Sequence, residues 1–167
     1  MIIGSPGAGK SVFSQKLKSI TNLPLYHLDM LYHKSDGTHI SKEELEEKLK
    51  SIFKEESWII DGNYQRTLEL RLAQCDTVFL LDFPLEDCLS GATARIGRKR
   101  EDLPWIEENL NEEFKQAIVD FPKKKLPQIY ELLEKYKMNK KIIIFKTRKE
   151  ADYYLEKLSL HFKGSLQ

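Results

Sequence analysis

Apolar and polar positions along the chain follow two alternating rhythms. Short apolar runs at residues 1–3, 25–28, 58–60, 78–81 and 141–145 lack strict in–out alternation, as strands covered on both faces do. Between them, apolar residues recur at helical spacing: Phe13, Leu17 and Ile20, then Leu45, Leu49, Ile52 and Phe53, each set marking one buried stripe. The second of these helices carries its own start signal. Ser41 and Glu44 have the capping-box spacing, and Ile40 and Leu45 that of a hydrophobic staple. A third helix follows Pro84, with Leu85, Cys88, Leu89, Ala92 and Ile96 on one face. A last helix runs from about Arg148, with Ala151, Tyr154, Leu155 and Leu158 inward. Strand and helix patterns in alternation predict an α/β fold with a parallel sheet.

Residues 101–137 break that alternation. Ile106, Leu110, Phe114, Ala117 and Ile118 keep a helical period, but no strand separates the stretch before Pro122 from the one after Pro127. The spacing predicts a helical insertion between the fourth and fifth strands, too short for a domain of its own. At the other end only three residues precede Gly4, whereas a strand usually has about five or six. Either the first strand is short or further residues precede Met1.

Composition narrows the class. With 167 residues, 41% hydrophobic and 32% charged, the chain reads as one globular domain over 1–167 that needs no staple. Lys and Arg total 27 against 26 Asp and Glu, a net charge of +1, which argues against direct nucleic-acid binding. Lys123-Lys124-Lys125 reads as a solvated helix start. Cys75 and Cys88 make no disulfide framework or metal spacing, and His27, His33 and His39 show no i, i+4 pairing. The longest apolar runs, such as 142–145, are far short of a membrane span, and no leader pattern opens the chain. These features predict a reduced, cytoplasmic protein.

The strongest local signal is Gly4-Ser5-Pro6-Gly7-Ala8-Gly9-Lys10-Ser11, which matches G-x-x-x-x-G-K-[ST]. It follows an apolar run and opens a helical period, the context this motif requires. Glycines permit a tight loop whose N–H groups converge on phosphate oxygens, and the helix N-terminus adds a favourable dipole. Lys10 would bridge the β- and γ-phosphates of ATP, and the Ser11 hydroxyl would ligate Mg²⁺.

The Pro-Gly form of this loop resembles that of nucleoside monophosphate kinases such as adenylate kinase. End to end, the chain resembles the bacterial topology modulation protein group, kinase-like P-loop proteins of unsettled substrate. The resemblance implies a P-loop NTPase fold, with a five-stranded parallel core in the order 2-3-1-4-5 and a helical lid over the phosphates.

Several other residues take expected roles beside it. Asp29 closes the run Leu25-Tyr26-His27-Leu28, at the sheet edge where open α/β folds bind ligands. Asp29-Met30-Leu31 resembles the acceptor region of adenylate kinase, which implies contact with an acceptor hydroxyl or the metal's water shell; a turn-capping Asp is the plainer alternative. Asp61-Gly62-Asn63-Tyr64-Gln65-Arg66-Thr67 resembles D-G-F-P-R-T of adenylate kinases. That implies Asp61 ordering Mg²⁺ water and Arg66 clamping an acceptor phosphate. Arg66, however, comes five residues after the Asp rather than four, and a surface arginine is the alternative. Asp82 competes with Asp61 for the metal side, but the nearby Pro84 suggests strand termination instead.

Arg95 and Arg98 share one helix face, and Lys99 and Arg100 extend the cluster. The resemblance implies that such arginines stack on adenine and neutralise the transferring phosphate; a solvated basic face is the alternative. Residues 98–127 would then form a mobile lid. Lys146-Thr147-Arg148 lies where related folds pass a loop across the adenine. Together these residues predict Mg²⁺-dependent transfer of the ATP γ-phosphate to a mononucleotide, nucleoside or hydroxyl metabolite. Lys10, Asp29, Arg95 and Arg98 would be catalytic. A nucleotide-dependent regulator of DNA topology without turnover is the rival class.

Overall fold

In a computed structural model, which describes residues 1–164, five parallel strands form one sheet in the order β2-β3-β1-β4-β5. They are β1 (Ile2–Gly4), β2 (Leu25–His27), β3 (Ile59–Asp61), β4 (Thr77–Leu81) and β5 (Lys141–Phe145). The order is the expected one, and each strand lies within a residue or two of its apolar run. Leu28 is the exception at β2: it opens the short helix α2 (Leu28–Tyr32), so Asp29 sits two residues past the strand, in a first helical turn.

Alternation along β4 explains why its run is apolar throughout. Val78 and Leu80 pack on one face with Leu68 and Leu72 of α4 (Gln65–Gln74) and Ile129 and Leu133 of α7 (Leu126–Tyr136). Phe79 and Leu81 pack on the other with Phe13 and Leu17 of α1 (Lys10–Thr21) and Leu155 of α8 (Arg148–Gly164). A third cluster seats α3 (Lys42–Ile52) on β3 through Leu45, Leu49 and Ile60. The expected capping box at Ser41 and Glu44 is present in both directions. The crossover after β4 includes α5 (Leu85–Thr93) and α6 (Glu112–Lys124).

The insertion differs from its expectation. Residues 98–111 form no helix, and α6 begins only at Glu112, capped by the Asn111 side chain. The apolar period through Ile106 and Leu110 had another cause: Trp105 and Ile106 stay partly exposed and line a cavity instead of packing into the core. α6 also runs through Pro122 to Lys124, and Lys125 both closes it and caps the start of α7, so the lysine run ends one helix and opens the next. Ile118 and Phe121 anchor α6 in the core, and the irregular 98–111 segment alone arches over the phosphate loop.

Candidate functional site

The loop between β1 and α1 is a tight turn held by backbone. Ser5 N–H donates to Leu81 O at 3.2 Å and Ala8 N–H to Ser5 O at 3.1 Å. Its central glycine cannot be replaced: at φ 81° a Cβ on Gly7 would stand 2.0 Å from the Cys88 carbonyl oxygen, and one on Gly91 2.2 Å from Gly7 O. α5 is thereby pressed against the loop. Gly91, which carried no signal in the sequence, sets that distance. Lys10 Nζ folds back on Gly4 O and Ser5 O, both at 3.0 Å. Burial lowers its pKa, against the upward pull of Asp61 and Asp29.

This loop forms one wall of a cavity of about 1130 Å³. Asp29, Asn63 and Tyr64 line it from the β2–β3 side, Arg95 and Arg98 from α5 and beyond, and Trp105 from the arch. Tyr64 donates its hydroxyl to Asp29 Oδ1 at 2.9 Å. Burial raises the Asp29 pKa, only partly offset by Tyr64 and the charge of Lys10. Asn63 bridges to the phosphate loop, its Nδ2 donating to Gly4 O at 2.8 Å while Gly4 N–H donates to its Oδ1 at 3.1 Å. Arg71, fully buried, holds this turn by donating to the carbonyls of Gly62, Asn63 and Tyr64; burial takes its pKa down to about 10.

Asp61 is almost fully buried at the end of β3. It accepts from Ser14 Oγ at 2.8 Å and pairs with His27 Nδ1 at 2.8 Å. Burial works to lower the His27 pKa, but Asp61, with Asp102 and Asp29 nearby, carries it above its ordinary value. Ser11 donates its hydroxyl to Asp102, a carboxylate only 4% exposed that sequence reasoning passed over. Arg100 Nε also donates to Asp102, at 2.9 Å. Burial pushes the Asp102 pKa up, yet Arg100 and Ser11 bring it below the carboxylate range. Asp102 lay hidden in a run of charges, Arg98 to Asp102, that reads as surface.

The basic cluster does not act as one unit. Arg95 NH2 donates to Glu107 Oε1 at 2.8 Å, while its Nε lies 2.8 Å from Oε2 without its N–H aimed there. Arg100 reaches the same Glu107 at 2.6 Å, and Gly97 N–H donates to Glu107 O at 2.8 Å. Glu107 thus ties the later part of the arch back to its start. Arg98 and Lys99 line the cavity and have no ion pair among the described residues.

Two other expectations resolve differently. Arg66 is not brought to the site; it points outward from α4 to Glu43 and Glu46 of α3 at 3.1 and 2.9 Å. Asp82 neither meets the cavity nor caps α5. It joins Tyr130 and Lys146 in a clasp between β4, β5 and α7, which lifts the Lys146 pKa to about 12. Arg148 lies beside the loop, its guanidinium 2.8 Å from where a Gly9 Cβ would stand and over the Phe83 ring at 5.6 Å.

The donors suit Mg²⁺. The Ser11 hydroxyl and the Asp61 and Asp102 carboxylates are hard oxygen ligands. Among the described residues no group of three or more His, Cys, Asp or Glu side chains could hold an ion. Mg²⁺ takes one or two protein oxygens and completes its shell with phosphates and water.

No family model and no curated protein matches the chain. Solved structures do. A shikimate kinase from Acinetobacter baumannii in complex with shikimate is 18% identical, covering 99% of this chain and 94% of that one, with a TM-score of 0.59. An unliganded sugar kinase from Janibacter sp. HTCC2649 is 13% identical over 93% of this chain and 88% of that one, with a TM-score of 0.52. Likeness at this identity shows the fold alone, and the five-stranded parallel architecture is one this chain shares with these two kinases.

Proposed function

We propose that the protein is a phosphotransferase that moves the γ-phosphate of Mg·ATP to a hydroxyl of a small molecule. One observation carries the reading: the phosphate loop and the Asp29 carboxylate share one cavity, while Arg66, the residue expected to clamp an acceptor phosphate, is turned out of it. A phosphate acceptor needs cations and no base; a hydroxyl acceptor needs a base. The kinases similar in fold, a shikimate kinase and a sugar kinase, fit the second case. The end-to-end resemblance to the topology modulation protein group belongs to the same reading.

In this mechanism the loop amides and Lys10 leave Gly4 O and Ser5 O to hold the β- and γ-phosphates. The Ser11 hydroxyl, and Asp61 through water, would hold the metal. Bound there, Mg²⁺ would neutralise charge on the phosphates. Asp29 takes the acceptor's proton as the hydroxyl oxygen attacks phosphorus, and Tyr64 fixes the orientation of that carboxylate. Burial keeps Asp29 basic enough for the task, since its raised pKa lies nearer neutrality. Arg95 and Arg98 stabilise the charge passing between the two substrates. The chain works as one domain with a lid at about 98–127, whose arching part excludes water on closure. Two free, buried cysteines support a reduced, cytoplasmic setting.

A transfer screen with ATP against mononucleotides, nucleosides and hydroxyl metabolites tests this. Turnover on a hydroxyl compound is the expected result. Turnover confined to mononucleotides, or nucleotide binding with no turnover on any acceptor, overturns it, and the latter outcome would favour a regulator.

A further inference from the structure

If Asp29 addresses an acceptor hydroxyl, as proposed above, the walls around Asp29 decide which acceptor fits. The sheet order divides the cavity. β2 and β3, on one side of β1, bring Asp29, His33, Asn63 and Tyr64; the turn after α5, following β4 on the other side, brings Arg95, which with Arg98 lies past the helix and not on the helix face expected for them. The arch crosses back to the first side at Trp105, whose indole meets the His33 ring edge-on with centroids 5.0 Å apart at 81°. Behind them Tyr32 stacks on His39 at 4.7 Å and 10°, and meets Tyr64 edge-on at 5.2 Å. Tyr64, which orients Asp29, is therefore braced by an aromatic layer, and that layer is continuous with the arch through His33.

Lys10, Asp61 and His33 act on the charge of Asp29. Arg66 is bound to α3 outside the cavity, and Arg95 and Arg100 are held by Glu107. Arg98 and Lys99 follow α5 in the chain and line the same cavity, and Glu108 adds a further carboxylate to the lining. A phosphate or carboxylate on the acceptor, brought up to Asp29, would set two like charges side by side with water excluded. An uncharged ring pays nothing of the kind. It can lay an apolar face on the indole of Trp105, which is 37% exposed, while its hydroxyl reaches Asp29.

We propose that the acceptor is an uncharged ring compound with a free hydroxyl, a nucleoside or a cyclic sugar, held by Trp105 against His33, and that phosphorylated or carboxylated counterparts are rejected. Trp105 and Trp58 are the two tryptophans of the chain, and Trp58 packs on Phe53 away from the cavity lining. Trp58→Phe therefore leaves Trp105 as the one indole reporter. With Mg·ADP saturating the nucleotide half, its emission is titrated with adenosine and with methyl glucoside, and with AMP, glucose 6-phosphate and glucuronate. The expected result is a saturable change with one of the two neutral compounds, identifying nucleoside or sugar, and at least tenfold weaker binding of its anionic counterpart. Trp105→Ala should weaken the same neutral compound at least tenfold, read by calorimetry, with Mg·ADP affinity unchanged. Anions that bind as tightly as the neutral compounds, or no response to either neutral compound while Mg·ADP binds, overturn the inference and leave the kinase reading standing. Failure to bind Mg·ADP at all removes both.

Discussion

The two halves of the cavity are built by opposite means. On the nucleotide side, eight consecutive residues from Gly4 to Ser11 supply nearly everything, mostly as backbone: amides on a turn, a glycine at φ 81° where no side chain fits, and one lysine. On the acceptor side, Asp29, Tyr64 and Trp105 come from distant parts of the chain and meet only through side chains. They are held by a buried Arg71 under the turn and by Tyr64 at a positive φ of 23°. A phosphate is the same in every nucleotide, so a local backbone cradle suffices. An acceptor varies, so its half is assembled from replaceable side chains, and part of it is held against its own electrostatic preference.

The largest effect that separates the halves should come from Asp29→Asn. As a lost general base it should lower turnover by about 10²–10⁴ on a confirmed hydroxyl acceptor, with Mg·ADP affinity within about twofold. The pH profile sharpens this. Asp29 has its pKa raised in the fold, so kcat/KM should fall on the acid side with a midpoint above the ordinary carboxylate range. The same shift fixes the sign for stability. A carboxyl whose folded pKa exceeds its unfolded one adds stability below the unfolded pKa and loses it as pH rises through the folded pKa. At neutral pH the Asn variant should therefore melt at or above the parent's temperature, measured by calorimetry. A variant that loses turnover and melts lower would mean that Asp29 is structural.

Lys10→Ala should act on the other half. Removing a charged donor worth about 1.5–3 kcal/mol should weaken Mg·ADP by roughly 10- to 100-fold in calorimetric titration. Adenosine or glucoside binding at Trp105 should stay within about threefold. Equal losses on both sides would erase the division between the halves.

How much of this was legible follows the same division. The strands were readable because runs such as Thr77–Leu81 are buried on both faces, and the phosphate loop because its chemistry is contiguous. Asp102 was not, because its burial depends on Ser11, ninety-one residues away. The helix expected over 101–111 failed for a related reason. Trp105 and Ile106 follow a helical period, but they line the cavity, and Arg95, Arg100, Asp102 and Glu107 pair across an arch rather than along a helix. A spacing rule sees apolar residues without seeing which space they face.

Glu107→Gln probes the arch, with a smaller effect. Glu107 holds Arg95 and Arg100 through partly buried contacts, and pairs of this kind are worth about 0.2–1 kcal/mol when solvent still reaches them. Releasing both arginines toward the phosphates should tighten Mg·ADP by up to about fivefold and reduce hydrogen-exchange protection over 97–111 in the free protein. Weaker Mg·ADP binding would instead make Glu107 the residue that positions the arginines for phosphate.

The smallest effect is expected at Arg66, where sequence and structure disagree most openly. The segment beginning at Asp61 resembles one in which an arginine four residues on clamps phosphate; here it stands five residues on, at the second position of α4. On a helix one residue turns a side chain by about 100°, enough to move a guanidinium from a cavity wall to the surface. It is found there, 51% exposed and paired with Glu43 and Glu46. An acceptor clamp would be worth about 1.5–3 kcal/mol, or 10- to 100-fold in acceptor KM. Arg66→Ala should leave KM unchanged and cost less than about 1 kcal/mol of stability, the limit for exposed pairs, and salt should shrink even that. Measured together, acceptor KM and chemical denaturation separate the two cases. A tenfold rise in KM with unchanged stability would return Arg66 to the site.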